Sequence, residues 1–215
     1  MTISTNSDLQ STVSTYLNRT NLNSLIPTFI QMAETRIAYG SAEAQFTSAA
    51  LRIRAMESSQ YASISTQKVV LPTGYLAQRR FYINTNPVGE LDFVVPEIFW
   101  RMWNSSQTGQ PRQFTIEGEN FVFGPTPDGT YDARVLFYQK FTALSAGSDT
   151  NWLLTNAPNV YLQGTLLEAY RYSRNMEMAQ DALNAFTGLV NSLNNSDKTD
   201  RFSSPWVSVT DTGNP

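Results

Sequence analysis

The sequence predicts an α+β protein in which both chain ends form a helical bundle, with an inserted antiparallel β-domain and an extended C-terminal tail. Apolar residues recur at helical spacing near the start of the chain, β-branched and aromatic residues dominate its middle, and helical spacing returns near its end. The expected boundaries are 1–62 and 142–195 for the two parts of the bundle, 63–141 for the β-domain and 196–215 for the tail.

The first part of the bundle is expected to hold at least two helices. A short one over 7–19 has apolar residues four positions apart, and a longer one over 23–37 carries an apolar stripe with Pro27 in its first turn, where the missing N–H does little harm. Residues 41–58 resume a helical pattern. The sequence leaves open whether 39–60 forms one kinked helix or two.

The middle of the chain has the composition and alternation of strands. Strands are predicted over 63–72, 78–84, 90–95, 112–118, 119–125 and 130–141, and a short helix over 96–103. In the last strand Ala133, Val135 and Phe137 share one face, and Gly118 marks a hairpin. Five or so antiparallel strands of this kind can close a small sandwich or barrel.

The segment "TNWLLTNAPNVYLQGTLLEAYRY", 150–172, opens the second part of the bundle. Its wide apolar arc predicts a buried helix. Gly164 costs a helix about 1 kcal/mol relative to alanine, which predicts that another backbone approaches closely there. A last helix is expected over 176–194, followed by a polar tail.

The composition limits the classes of function. Only 15% of the 215 residues are charged, which suits a surface covered by other subunits or simply a neutral polar one. A net charge of −3 argues against nucleic-acid binding as the main activity. No stretch approaches the roughly 20 apolar residues of a membrane span. The start of the chain lacks a signal-peptide pattern, so we expect a protein made in a cytoplasm.

The chain contains neither cysteine nor histidine. Disulfides, thiolate nucleophiles and histidine-based triads are therefore impossible. Carboxylate pairs, lysine or tyrosine chemistry and a bound Mg²⁺ are the remaining enzymatic routes. We assign no catalytic residue, no cofactor and no metal ligand.

Two carboxylate pairs flank predicted turns. They are Glu117 with Glu119, and Asp128 with Asp132. Hairpin geometry could bring such a pair to the spacing of about 5–9.5 Å that glycoside hydrolysis needs. Turns also favour acidic residues and glycine for solubility and backbone geometry, and the sequence favours this reading.

Two tight basic groups, Arg79-Arg80 and Arg52 with Arg54, could contact phosphate. Exposed charges on a strand and a helix are the favoured interpretation.

Aromatic residues give the strongest sign of an interaction surface. Phe99, Trp100 and Trp103 lie on one short predicted helix, and we expect Phe99 and Trp103 to be buried. Trp206 lies in a polar tail too sparse to form a core, so it must pack on its own domain or, as we favour, on a neighbouring subunit. The predicted protein-interface residues are Phe202, Trp206 and Val207.

Several ordered motifs resemble the head–tail adaptor, or connector, family of tailed bacteriophages. "YLNRTNLNSLIPTFIQMAETRI" (16–37) fits the family pattern L-x-x-x-I-P-x-[FW]-I-x-x-A-E-x-R-I. "VVLPTGYLAQRRFYI" (69–83), "ELDFVVPEIF" (90–99) and the stretch 110–144 resemble its strand segments, and 150–172 resembles its closing signature. The resemblance covers about residues 8–194 and extends to the A-type tail tubular protein of short-tailed phages.

The resemblance implies a virion structural protein of the neck, without enzymatic activity and assembled in the host cytoplasm. Such adaptors form a twelve-fold ring under the portal, offer a platform to the next tail or nozzle component, and let DNA pass. Their C-terminal segment often reaches the portal.

Two alternatives remain open from the sequence. One is a tail-completion or stopper protein of the same neck. The other is a carbohydrate-binding or depolymerising tail component, for which an exposed aromatic groove and a carboxylate pair would lie near Trp100, Glu117 and Glu119.

Overall fold

A computed structural model describes residues 2–103 and 106–202, with side chains to residue 199. In chain order its elements are α1 (Asn6–Leu17), α2 (Ile26–Tyr39), β1 (Glu57–Ile64), β2 (Lys68–Val70), β3 (Tyr75–Ile83), β4 (Gly89–Glu90), β5 (Asp92–Phe93), α3 (Pro96–Met102), β6 (Gln113–Glu117), β7 (Asn120–Gly124), β8 (Tyr131–Gln139), α4 (Trp152–Asn156), α5 (Pro158–Tyr172) and α6 (Met176–Phe202). Helices and sheets both contribute, which confirms the α+β class.

The chain forms two compact units. The helical unit comprises the residues up to Ala55 and those from Phe141 onward, and the β unit is Met56–Lys140. The strand-rich part thus begins with β1 at Glu57, earlier than residue 63.

Helix α5 is the centre of the helical unit, where it contacts α1, α2, α4 and α6. An added Cβ at Gly164 would lie 3.2 Å from the Cβ of Ala33 on α2 and 3.2 Å from a ring carbon of Phe186 on α6. The predicted close approach at Gly164 is confirmed, although side chains rather than a backbone make it. Three helices meet at this residue because it has no side chain.

The predicted helix over 41–58 is wrong. Gly40 ends α2 with φ of 71°, a left-handed conformation that glycine adopts without strain. The chain then turns back through a bridge between Ser41 and Ser48, and buries Phe46 from an irregular segment. An added Cβ at Gly40 would lie 2.6 Å from the Ser48 carbonyl oxygen, so this path depends on glycine.

The β unit consists of two four-stranded sheets in the orders β1-β8-β3-β4 and β2-β7-β6-β5. One core takes residues from both sheets, so the sheets pack face to face. Its buried members are Ile64, Phe81, Ile83, Leu91, Phe114, Phe121, Phe123, Ala133, Val135 and Phe137. The predicted shared face of Ala133, Val135 and Phe137 on β8 is confirmed, and it is the face that the core buries. The hairpin between β6 and β7 is also confirmed.

One strand pair departs from the predicted antiparallel arrangement. β5 and β6 run parallel, pairing Asp92 with Gln113 and Phe93 with Phe114. The helix α3 lies between these strands in the chain and returns it to the same end of the sheet, as a parallel pair requires.

The last helix is longer than its apolar pattern predicts. α6 continues to Phe202, so residues 196–202 are helical rather than extended. Asn194 accepts a hydrogen bond from the backbone N–H of Arg52 at 2.8 Å, and Asp197 accepts one from that of Arg54 at 2.7 Å. These polar contacts stabilise the last turns of α6, which have little apolar surface to bury. The rest of the predicted tail lies outside the described residues.

Candidate functional site

The predicted interface residues lie at and beyond the end of α6. Phe202 is the last residue of that helix, and Trp206 and Val207 lie outside the described residues. Their role in a protein interface therefore stays a prediction.

A groove of about 310 Å³ lies beside the last turns of α6, lined by Ile53, Arg54, Ala55, Trp152, Leu193, Ser196 and Asp197. Trp152 stacks on Phe141, with ring centroids 6.2 Å apart, and remains 43% exposed. The exposed indole of Trp152 on α4 therefore lies beside α6, the helix that leads to the tail. This surface is suited to a protein contact.

Two of the motifs that resemble adaptors meet in the helical unit. Glu34 accepts a hydrogen bond from the N–H of Leu144 at 2.8 Å and one from the hydroxyl of Tyr161 at 3.4 Å. Arg36, two residues further along α2, forms a buried ion pair with Glu168 on α5 at 2.7 Å. Burial raises the pKa of Tyr161, so its hydroxyl stays protonated as a donor. The polar residues of these two motifs therefore link α2 to α5 by hydrogen bonds and an ion pair.

The candidate carboxylates of the β unit are engaged separately. Glu117 accepts a hydrogen bond from the indole N–H of Trp100 and lies 3.4 Å from the Lys68 ammonium. Asp128 accepts a hydrogen bond from Tyr131 at 2.5 Å, and Asp132 accepts one from Ser63 at 3.1 Å.

Glu119 lies exposed at the hairpin turn, where its carbonyl oxygen accepts a hydrogen bond from the N–H of Leu71.

The tight basic groups are used within the molecule. Arg79 pairs with Glu57, and Arg80 donates two hydrogen bonds to Glu90 at 2.9 and 3.1 Å. The Arg52 guanidinium donates to the backbone oxygens of residues 38 and 51. The carboxylates offset the charges of Arg79 and Arg80, so these two arginines offer little free charge to a phosphate. The side chain of Arg54 is exposed.

The predicted aromatic helix is α3. Phe99 is fully buried, which confirms its prediction, while Trp103 is half-buried and Trp100 is 41% exposed. An added Cβ at Gly124 would lie 2.5 Å from Trp103 and 2.9 Å from Phe99. Strand β7 therefore needs glycine here so that both rings can lie on it.

A second face of α3 is apolar and exposed. Val95, Ile98 and Met102, spaced three and four apart, are each between 44% and 49% exposed. We name these three residues the α3 patch. Phe93, 46% exposed, precedes it on β5. Exposed apolar clusters of this kind are typical of surfaces that contact other molecules.

The outer face of the first sheet carries a feature that the sequence did not predict. Tyr61, Arg134 and Tyr82 lie side by side across β1, β8 and β3. The Arg134 guanidinium lies 5.3 Å above the Tyr61 ring. Tyr61 lies just before the strand predicted over 63–72, in the part assigned to the helical bundle, so its pairing with β8 could not be predicted from the sequence.

These residues line a groove of about 870 Å³, which we name the tyrosine groove. Its lining is Tyr61, Ala62, Ser63, Tyr82, Asn84, Val88, Asp132, Ala133 and Arg134. Tyrosine and arginine are enriched at protein interfaces because each offers a large contact area together with polar atoms.

Among the described residues there is no group of three or more acidic side chains that could hold a metal ion. Within those same ranges, no helix has the length and apolar character needed to cross a membrane.

The fold carries several exposed aromatic and apolar surfaces, and these define a protein that is built to contact other proteins. Residues 1–209 match the family described as SU10 adaptor protein, and the chain belongs to that family. No curated protein matches the chain. Membership confirms the resemblance to phage head–tail adaptors. It indicates a structural component of the virion that associates with other components of the phage neck.

Proposed function

We propose that this protein is a head–tail adaptor whose copies form a closed ring between the portal and the next tail or nozzle component. Twelve subunits are expected, and DNA passes through the ring without sequence-specific binding. The observation that carries the proposal is the match to an adaptor family over residues 1–209. The protein is assembled in the host cytoplasm and stays in the neck of the virion.

The surface composition suits a ring. A closed ring needs two different faces on each subunit that fit each other. The α3 patch and the tyrosine groove are two exposed surfaces of the β unit with the aromatic and apolar character of interfaces. With 15% charged residues, contact between copies desolvates few charges.

The charge distribution suits the passage of DNA. Neutralising phosphates requires unpaired lysines and arginines, and each such contact strengthens binding. Here the net charge is −3, and Arg36, Arg79, Arg80 and Arg171 are each paired with a carboxylate. A channel of this composition would not retain DNA.

The tail is the proposed contact with the portal or with a neighbouring subunit, through Phe202, Trp206 and Val207. In protein contacts, bulky anchors such as tryptophan carry most of the affinity. Each contact is modest. The repeated copies of a ring turn modest contacts into stable attachment.

Size-exclusion chromatography with light scattering tests the proposal. We expect the purified chain to be a monomer or weakly associated, and to form a ring when portal is added. A tight dimer that ignores portal contradicts the proposal.

Electron microscopy of the intact neck then identifies the layer. Density for the chain directly under the portal supports the adaptor, whereas density in a later ring supports the stopper alternative. Release of reducing sugar from host polysaccharide would instead support the depolymerising alternative.

A further inference from the structure

Strand β1 is the longest edge strand in the described part of the β unit. The other three edge strands, β4, β2 and β5, have only two or three residues, whereas β1 has eight. Proteins protect edge strands from pairing with other chains by keeping them short, or by adding charge or proline. β1 reads "ESSQYASI", with one charged residue and no proline. Its outer edge has no strand partner among the described residues.

The tyrosine groove lies on the sheet face next to this edge. Tyr61, in the middle of β1, is 72% exposed, and Arg134 covers its ring from the adjacent strand. An extended peptide that adds to a sheet edge gains affinity from main-chain hydrogen bonds and specificity from pockets for alternate side chains. β1 and the groove together offer both.

We propose that β1 accepts residues 206–210 of a neighbouring copy of this chain as an added strand. This segment reads "WVSVT", which alternates between two faces and is rich in β-branched residues. Residues 203–205 join the end of α6 to this segment and span about 10 Å when extended, so the proposal requires the neighbour's β1 to lie close to the end of α6. The inference rests on the proposed function, since it names the partner of the tail within the ring.

The side-chain pattern fits this position. In an extended strand Trp206 and Ser208 point to one face, and Val207 and Val209 to the other. With Trp206 on the outer face, its indole enters the tyrosine groove, where the Arg134 guanidinium can lie over it. The valines then extend the apolar side of the sheet.

A neighbouring copy is also the occupant that best accounts for an unprotected edge. Each copy carries one donor segment and one acceptor edge. A ring closed by head-to-tail contacts pairs the β1 edge of every copy with a segment of its neighbour. A tail that contacts only the portal would not supply β1 with this strand.

Cross-linking of the full chain assembled with portal tests the inference. The chain has no cysteine, so Ser59→Cys on β1 and Ser208→Cys in the tail introduce the only thiols. After treatment with a short bismaleimide, most of the chain is expected to shift from the monomer band to a ladder of covalent oligomers. The matched control combines Ser208→Cys with Val70→Cys, an exposed position on the edge strand β2, and should stay monomeric.

The other outcomes overturn the inference. A cross-linked monomer would mean that the tail pairs with its own chain. If electron microscopy shows rings but no ladder of cross-linked oligomers forms, the strand addition is rejected and the proposed function still stands. If the unmodified chain forms no ring with portal, both the strand addition and the proposed function are overturned.

A substitution in the tail provides a second test that leaves the described fold untouched. Val209→Pro removes a main-chain donor from the added strand, whereas Val209→Thr keeps both that donor and the β-branched shape. We expect the proline variant to lose most of its incorporation into rings, and the threonine variant to keep it. Equal incorporation of the two variants contradicts the proposal.

Discussion

Arg36 and Glu168 form an ion pair in the core of the helical unit, with 2.7 Å between Nη2 and Oε1 and with 6% and 3% of the side chains exposed. The same guanidinium donates to the Phe46 carbonyl oxygen at 2.8 Å, and the second oxygen of Glu168 accepts from Arg171 at 3.0 Å. One buried pair therefore joins α2, α5 and the irregular segment that follows Gly40.

Breaking this pair should strongly destabilise the helical unit. Glu168→Ala leaves the Arg36 guanidinium buried without its partner, which is expected to lower the free energy of unfolding by about 3–5 kcal/mol. Urea denaturation measures the loss. The control, Glu43→Ala, removes an exposed partner of Arg171 and should cost less than about 1 kcal/mol. Equal losses in the two variants would contradict the role given to burial.

Two helical glycines should respond to substitution in opposite directions. Gly164→Val places side-chain atoms where Ala33 and Phe186 already lie, so overpacking is expected to cost about 1–3 kcal/mol. Gly188→Ala, in the interior of α6 with open space around it, should stabilise by up to about 1 kcal/mol through helix propensity. Thermal unfolding, followed by circular dichroism, compares the two variants. A more stable Gly164→Val variant would contradict the prediction, because it would show that α2, α5 and α6 can move apart to admit the side chain.

The contact between β7 and α3 should tolerate no side chain at Gly124. Gly124→Ala forces the Trp103 and Phe99 rings away from the strand, with an expected cost of about 1–3 kcal/mol and a change in tryptophan fluorescence. Gly129→Ala, in a turn with nothing within 4 Å of the new Cβ, is the matched control and should leave the fluorescence unchanged. An unchanged spectrum for Gly124→Ala would contradict the predicted ring displacement.

The Asp149 carboxylate should contribute stability that is lost in acid. Hydrogen bonds from the Ala146 N–H, then from the Ser145 hydroxyl and N–H, hold the pKa of Asp149 below its usual value of 3.8. A lowered pKa means that this stability is complete above pH 3.8 and disappears as pH falls through the folded-state value.

Asp149→Asn should therefore melt below the unmodified chain at pH 7, and the difference in Tm should shrink below pH 3.8. The exposed Asp181→Asn on α6 serves as the control for the removal of one surface charge. A difference that is constant with pH would exclude the carboxylate charge as its source.

Trp206→Ala should weaken incorporation into the neck while leaving the fold intact, because the tail loses its largest anchor. Circular dichroism checks the fold, and the amount of the chain in purified particles measures incorporation. The control, Thr212→Ala, changes the same tail without removing an aromatic ring. Unaltered incorporation of Trp206→Ala would reject the assignment of Trp206 to an interface.

Local patterns in the sequence determined much of the fold. The apolar spacing that defines α2 and α5, the alternation in β8 and the glycine of the β6–β7 hairpin act within one turn or one pair of strands, so they are readable before folding. The order of the adaptor motifs likewise identified the family, which the match over residues 1–209 confirmed.

Contacts between distant residues decided the rest. The helical pattern of residues 41–58 gave way to an irregular path because Gly40 turns the chain and Arg36 binds its Phe46 carbonyl oxygen. α6 extends past its apolar stripe because Asn194 and Asp197 bind the backbone of that same segment. Tyr61 and Arg134, 73 positions apart in the chain, meet only through the register of β1 with β8. Periodicity reports which face of an element is apolar, but not which distant partner satisfies its polar groups, and only the tertiary structure supplies that partner.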